Sequence, residues 1–365
     1  MREPNFKYFD EADEPNAVAI AEPTDESEDD YAPQQSTPRW ADLRANLTVL
    51  PPLEADEKEF EEAVAAALLP HELIAEIEKS TPENRRDFLA RLSIALAPIY
   101  GAVYDWQMRR GGVKLVRQRV QMSGIARTAP ALRAAFISDL HYGPTSGHVA
   151  ARQAWKILHE AQPDVLILGG DYLYADHRGL PAFLRELQRW KWNAPRAGIY
   201  AVLGNHDYNC DTAALTMAME ACGVRILKNE SVRLPDPWNS IHLAGLDDFR
   251  NGTPDIKATL ADVPRGDCAI MVSHSPDACE LPDLKRCGLT LCGHTHGGQV
   301  CYPNGDVPYV PGKWGKHFPW GMHRHAGNWV FVSRGVGTVG LPIRAFAPPD
   351  VALFEIVGRG AAITP

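Results

Sequence analysis

The chain has 365 residues, 45% hydrophobic and 23% charged, which excludes wholesale disorder and leaves room for one large domain or two. Its 29 glycines and 29 prolines follow no triplet period, and its seven cysteines form no Cys-x-x-Cys pair, so a collagen-like chain, a disulfide framework and a structural zinc site are all disfavoured. The net charge of −9 belongs to residues 1–30, where eleven acids meet two bases; the neutral remainder carries no electrostatic footprint for nucleic acid, which counts against a nuclease.

Residues 1–57 are rich in Asp, Glu, Pro, Ser and Gln and lack apolar periodicity, the pattern of a disordered acidic arm. A helical segment is expected over 58–108. Phe60, Val64 and Leu68 recur every four residues, and Thr81-Pro82 starts a second helix with Phe88, Leu89, Leu92, Leu96 and Ile99 on one face. Within it, Arg85-Arg86-Asp87-Phe88-Leu89 precedes a charge-free run from Leu92 to Tyr104. That arrangement is similar to a twin-arginine export signal; the other reading is an amphipathic helix on the domain or on a membrane surface. Residues 109–130 form a basic connecting segment. The seven bases of 106–138, with no acid among them, suit anionic lipid, a solvated face or the acidic arm.

From 131 to 357 the rhythm is that of an α/β domain, followed by a short tail over 358–365. Apolar runs occur at 134–138, 165–170, 199–204, 241–245, 268–273, 289–293, 329–333 and 351–357, with helices expected over 148–161, 180–192 and 211–222. Five of the runs lead directly into metal-ligand side chains: Asp139 and His141; Asp171; Asn205, His206 and Asp207; His274; His294 and His296. Ligands gather at the carboxyl ends of strands in open α/β sheets, so one crevice would collect them. Two carboxylates, one amide and four imidazoles exceed the needs of one catalytic divalent ion, and two ions sharing a carboxylate would use them. His148, His159, His177 and His242 have no such context and read as structural.

The ordered pattern D-x-H, G-D, G-N-H-D, H and G-H-x-H from Asp139 to His296 resembles the calcineurin-like metallophosphoesterase superfamily. GHTHGGQ at 293–299, SHSPD at 273–277 and SRGVGTVGLPIR at 333–344 resemble its membrane-associated branch, which includes twin-arginine-exported phosphoesterases and UDP-2,3-diacylglucosamine hydrolases. The resemblance implies two β-sheets packed face to face and flanked by helices. It assigns Asp139, His141 and His296 to one metal, Asn205, His274 and His294 to the other, and Asp171 to the bridge. It further implies attack of a metal-bridging hydroxide on a phosphodiester or pyrophosphate bond, with His206 contacting substrate oxygen and protonating the leaving group. UDP-2,3-diacylglucosamine of lipid A synthesis is the favoured substrate. The two divalent ions would be manganese, iron or zinc, since no thiolate is among the donors.

Arg334 is a candidate for phosphate binding or for a surface ion pair, while Gln299, Tyr142 and Asp207 are candidates for the substrate pocket. The aromatic residues of 302–329 are read as core or as a grip on acyl chains. The expected setting is cytoplasmic and peripheral at the inner membrane, with twin-arginine export as the alternative. Competing functions are a nuclease or cyclic-nucleotide phosphodiesterase on the same metal core, and a non-catalytic scaffold on the same fold.

Overall fold

A computed structural model describes residues 112–143, 148–174, 177–192, 194–301, 306–307, 310–339 and 344–360. The expected acidic arm, the helical segment of 58–108 and its Arg85-Arg86 pair lie outside the described residues.

Two sheets of six strands carry the fold. The first is built from β1 (Lys114–Met122), β2 (Leu132–Ile137), β3 (Val165–Leu168), β4 (Ile199–Ala201), β5 (Val224–Ile226) and β12 (Asp350–Gly358), in the order β1-β12-β2-β3-β4-β5. The second contains β6 (Glu230–Arg233), β7 (Ile241–Gly245), β8 (Cys268–Val272), β9 (Leu289–Cys292), β10 (Gly321–His325) and β11 (Asn328–Val332), in the order β10-β11-β9-β8-β7-β6. Strands β2 to β5 run parallel, as do β7, β8, β9 and β11. The antiparallel pairings are β12 with β2, β10 with β11 and β6 with β7.

The central strands are apolar on both faces because both faces are covered. Phe136, Ile167, Phe354 and Ile356 of the first sheet meet Leu243, Ile270, Leu291 and Phe331 of the second in a core between the sheets. Their neighbours in sequence point the other way, as the period-2 geometry of a strand requires. Ala135, Ile137, Leu166 and Leu168 pack beneath α1 (His148–Ala161), α2 (Leu180–Trp192) and α3 (Thr212–Ala221). On the far side, Ala269, Met271, Val330 and Val332 pack with Ile256 of α4 (Ile256–Thr259) and with Phe318. The layers are therefore helix, sheet, sheet, helix, as the resemblance implies. Among the described residues, no helix is long and apolar enough to cross a membrane.

The basic connecting segment expected over 109–130 contains strand β1, a difference from the sequence reading. Val120 and Met122 are buried in the inter-sheet core while Lys114 and Arg117 point to solvent, and five charged or amide side chains hide that alternation. Strands β5, β6 and β10, three to five residues long, were equally unannounced. The aromatic stretch of 302–329 is largely packed where it is described: Trp314 stacks on Phe318 and contacts His325, against the outer face of the second sheet.

Candidate metal centre

Parallel pairing puts the carboxyl ends of β2, β3 and β4 along one rim, and those of β7, β8 and β9 along the facing rim of the other sheet. The chain must turn sharply there to stay in the crevice. Asp139 (φ 54°), His141 (φ 46°), Asp171 (φ 56°), His294 (φ 69°) and His296 (φ 52°) all adopt left-handed backbone, a strain of about 1–3 kcal/mol each that persists only where the surroundings over-determine it. Here they do. The amide of Asp139 donates to the carbonyl of Gly170 (2.9 Å), that of His141 to Asp171 (3.0 Å), and that of His294 to the Asp139 carboxylate (3.0 Å). Gly170 (φ 94°) is required because a Cβ there would stand 2.8 Å from His274 Nδ1.

These turns bring two donor groups together, and a third, His141, Asp171 and His206, overlaps them. Asp139, His141 and His296 form one, with His141 Nε2 at 3.1 Å from His296 Nε2 and His296 Nε2 at 3.4 Å from Asp139 Oδ1. Asp171, His274 and His294 form the other, with His294 Nδ1 at 3.3 Å from His274 Nε2. Asp171 stands between the groups: its Oδ2 lies 3.1 Å from His274 Nε2 and 3.5 Å from His141 Nε2. His274 Nδ1 donates to the carbonyl of Gly169 (2.8 Å), which leaves Nε2 facing the cluster. The Oδ1 of Asn205 is buried without a hydrogen-bond partner. A desolvated carbonyl oxygen without a partner, on the residue before His206, fits a cation as its missing partner, so the donor set fits divalent ions.

Burial pushes Asp139 up to about 6. For Asp171 burial acts the same way, yet His274, His206 and His141 outweigh it and hold this carboxyl well below the usual range. Burial drives His141 and His296 well below the ordinary imidazole value, and together with His274 takes His294 down to about 3. These three imidazoles are neutral at pH 7, as metal ligands must be. His274 differs: burial opposes its charge, but Asp171 raises its pKa well above normal, so its proton must leave before Nε2 can bind a cation.

Comparison with known proteins agrees with this geometry. The family described as calcineurin-like phosphoesterase matches residues 132–298. The uncharacterised metallophosphoesterase YkuE of Bacillus subtilis (strain 168) is 32% identical over 207 residues, 54% of this chain and 70% of its own length. The chain belongs to the calcineurin-like phosphoesterase family. It is accordingly a metal-dependent phosphoester hydrolase. Phosphodiesterase YaeI of Escherichia coli (strain K12) is 28% identical over 279 residues, covering 75% of this chain and 99% of YaeI. The solved nuclease MPE of Pseudomonas putida is 17% identical over 47% of this chain and 64% of its own, with a TM-score of 0.27, too low to bear on fold or activity.

In this phosphoesterase, His206 lies at the edge of the donor cluster. Its amide donates to Asp171 Oδ1 (2.8 Å), its Nδ1 donates to the carbonyl of Tyr174 (2.5 Å), and its ring meets His141 edge-on at 4.8 Å. Four neighbouring candidates are engaged within the protein. Asp207, expected near substrate, is fully buried and accepts from the amides of Asp171 (2.8 Å), Gly204 (2.9 Å) and Tyr172 (2.9 Å). It holds the Asp171 turn and does not reach the crevice. Tyr142 belongs to the core under the helices, its hydroxyl accepting from Trp155 Nε1 (2.9 Å). The amide of Gln299 pairs at both ends with the backbone of Val339. Arg334 is largely buried, 3.8 Å over the Trp320 ring and 3.9 Å from Asp350.

The sequence reading missed the loop after β7. Asn251 Nδ2 donates to the carbonyl of Asn205 (2.9 Å), and Asp248 is buried close enough to His274 for their charges to interact. Asp247-Asp248 follows the apolar run of 241–245 as the other site residues follow theirs, so the signal was present.

Proposed function

We propose that this protein hydrolyses a phosphodiester or pyrophosphate bond using two divalent cations held on either side of Asp171. The observation that carries the reading is Asp171 Oδ2 lying between His274 Nε2 (3.1 Å) and His141 Nε2 (3.5 Å). Asp139, His141 and His296 would hold one cation; Asn205, His274 and His294 would hold the other. Manganese, iron and zinc all suit such oxygen and nitrogen donors. When bound, the pair supplies Lewis acidity and neutralises charge developing on phosphoryl oxygens.

His206 is oriented for proton transfer. With Nδ1 donating to the Tyr174 carbonyl, Nε2 is the atom left to deliver a proton to the departing oxygen. The diester preference is supported by the printed name of YaeI, a phosphodiesterase. A lipid-linked nucleotide, with UDP-2,3-diacylglucosamine first, is supported by Val300 and Phe346, which stand 46% and 65% exposed on paired segments next to Gln299. Such a substrate makes the protein peripheral at the inner membrane.

Mass-spectrometric product analysis tests both levels, using manganese-loaded protein, UDP-2,3-diacylglucosamine and His206→Ala as the blank. Release of UMP and acylated sugar phosphate is expected. Cleavage of bis(p-nitrophenyl) phosphate alone would remove the lipid assignment, and turnover of neither would remove the hydrolase reading.

A further inference from the structure

Resting on the two-cation hydrolase reading above, we propose that Arg344 is a positioning residue for one cation site and not the other. Its guanidinium locks the turn of His296 to the turn that backs Asp139. Arg344 is 6% exposed, and its nitrogens face backbone. Nη1 donates to the carbonyls of His296 (3.3 Å) and Ala347 (3.1 Å), Nη2 to those of Arg334 (2.8 Å) and Gly335 (3.2 Å), and Nε to that of Gly337 (3.1 Å). Nη2 also stands 3.3 Å from His296 Nδ1. The turn gathered in this way lies against Asp139. The amide of Gly337 donates to the Asp139 carbonyl (2.6 Å), that of Val336 to the Ser138 carbonyl (3.2 Å), and a Cβ on Gly335 (φ 67°) would stand 2.6 Å from Asp139 Cβ. One side chain therefore joins Asp139, which follows β2 of the first sheet, to His296, which follows β9 of the second.

An arginine beside a phosphoesterase centre invites a phosphate-binding role, but the geometry here is that of a frame. Five carbonyl oxygens and the His296 ring nitrogen take up the five N–H groups of the fork, which leaves none for a phosphoryl oxygen. The other donor group is fixed by different bonds: His274 Nδ1 donates to the Gly169 carbonyl, and Asn251 Nδ2 to that of Asn205. Groups that orient metal ligands from behind typically contribute about 10- to 100-fold in metal affinity. Lysine offers its donors from a single nitrogen, so it cannot span both turns as the planar fork does.

The test measures manganese content by plasma mass spectrometry after loading and desalting, in wild type, Arg344→Lys and Gly335→Ala, with circular dichroism to check the fold. Wild type is expected to hold about two ions per chain and Arg344→Lys about one, with affinity at the weakened site down about 10- to 100-fold by calorimetry. In electron paramagnetic resonance, the spin-coupled pair of the wild type should give way to the resolved hyperfine signal of an isolated manganese ion. Adding His294→Ala to Arg344→Lys should remove the remaining ion, whereas adding His296→Ala should remove nothing more. Gly335→Ala keeps the Arg344 side chain but pushes the turn off Asp139, so it should reproduce the one-ion state and carries the test if Arg344→Lys does not fold. Both ions retained or both lost in folded Arg344→Lys, wild-type metal content in Gly335→Ala, or a further loss on adding His296→Ala overturns the proposal. Wild type that holds both ions but cleaves no bis(p-nitrophenyl) phosphate defeats the hydrolase reading instead, and leaves Arg344 to be judged by the metal counts.

Discussion

The amide of His206 donates to Asp171 Oδ1 at 2.8 Å, and the proposed mechanism gives the two side chains separate duties. His206→Ala should keep the metals and lose about 10²- to 10⁴-fold in kcat, the usual contribution of a positioned acid. Asp171→Ala removes the carboxylate that lies between the two donor groups and should lose metal and turnover together; equal metal loss in the two variants would overturn these roles. Asp207 acts at one remove. Asp207→Asn turns one acceptor oxygen into an NH2 facing backbone amides, so urea unfolding should show a loss of about 1–3 kcal/mol per unsatisfied donor together with weaker metal binding, whereas wild-type stability would show that those bonds are dispensable. At this scale the clustering of the donor side chains was legible because each follows an apolar run, but the contacts of Asp207 were not. Its carboxylate is turned into the protein by contacts with Asp171 and Tyr172, over thirty positions away in sequence.

Strands β2, β3, β4, β8 and β9 deliver the site residues through turns at their carboxyl ends. Gly204 follows β4, and a Cβ there would collide with the Asp171 carboxylate. Gly204→Ala is therefore expected to retain the circular dichroism of the fold but bind metal far more weakly; retention of normal metal affinity would mean the turn can yield. Away from the centre, α1 and α2 meet where His159 stacks on Trp190 with ring centroids 4.1 Å apart. Burial, helped by Arg189, lowers the His159 pKa from 6.5. As pH falls below that value the unfolded chain binds a proton that the folded chain resists, so His159 costs stability with acidification. The stability lost between about pH 7 and pH 5 should shrink in His159→Asn, as measured by urea unfolding at each pH; an identical loss would exclude this source. Helices α1 and α2 were legible to the residue, since their apolar faces are local patterns. Strand β1 was not, because Lys114, Arg117, Gln118, Arg119 and Gln121 interrupt its apolar alternation and only pairing with β12 completes it.

The two sheets contribute to the centre jointly: Asp139, His141, Asp171 and Asn205 follow strands of the first, and His274, His294 and His296 follow strands of the second. Bound cations would tie the sheets together at one rim, so chelation should lower the melting temperature and added manganese should raise it with concentration. Metal at a hundredfold excess over its Kd stabilises by about 2.7 kcal/mol per site, a shift of several degrees for a domain of this size. A melting temperature indifferent to both treatments would show that the rim is rigid without metal. The sequence by itself determined an α/β domain with metal-ligand side chains gathered at strand ends, because its apolar runs end in Asp, Asn and His, while the reaction class and the paired sheets came from the family resemblance that the ordered motifs carry. Only the tertiary structure decided which neighbours of those ligands face the crevice. Tyr142 turns into the core, Asp207 onto backbone amides and Arg334 onto Trp320, while Asn251 is tied to the carbonyl of Asn205 across the gap between the sheets. The physical reason is that a ligand's type is written locally, whereas a side chain's direction at a strand end is settled by the element packed against it.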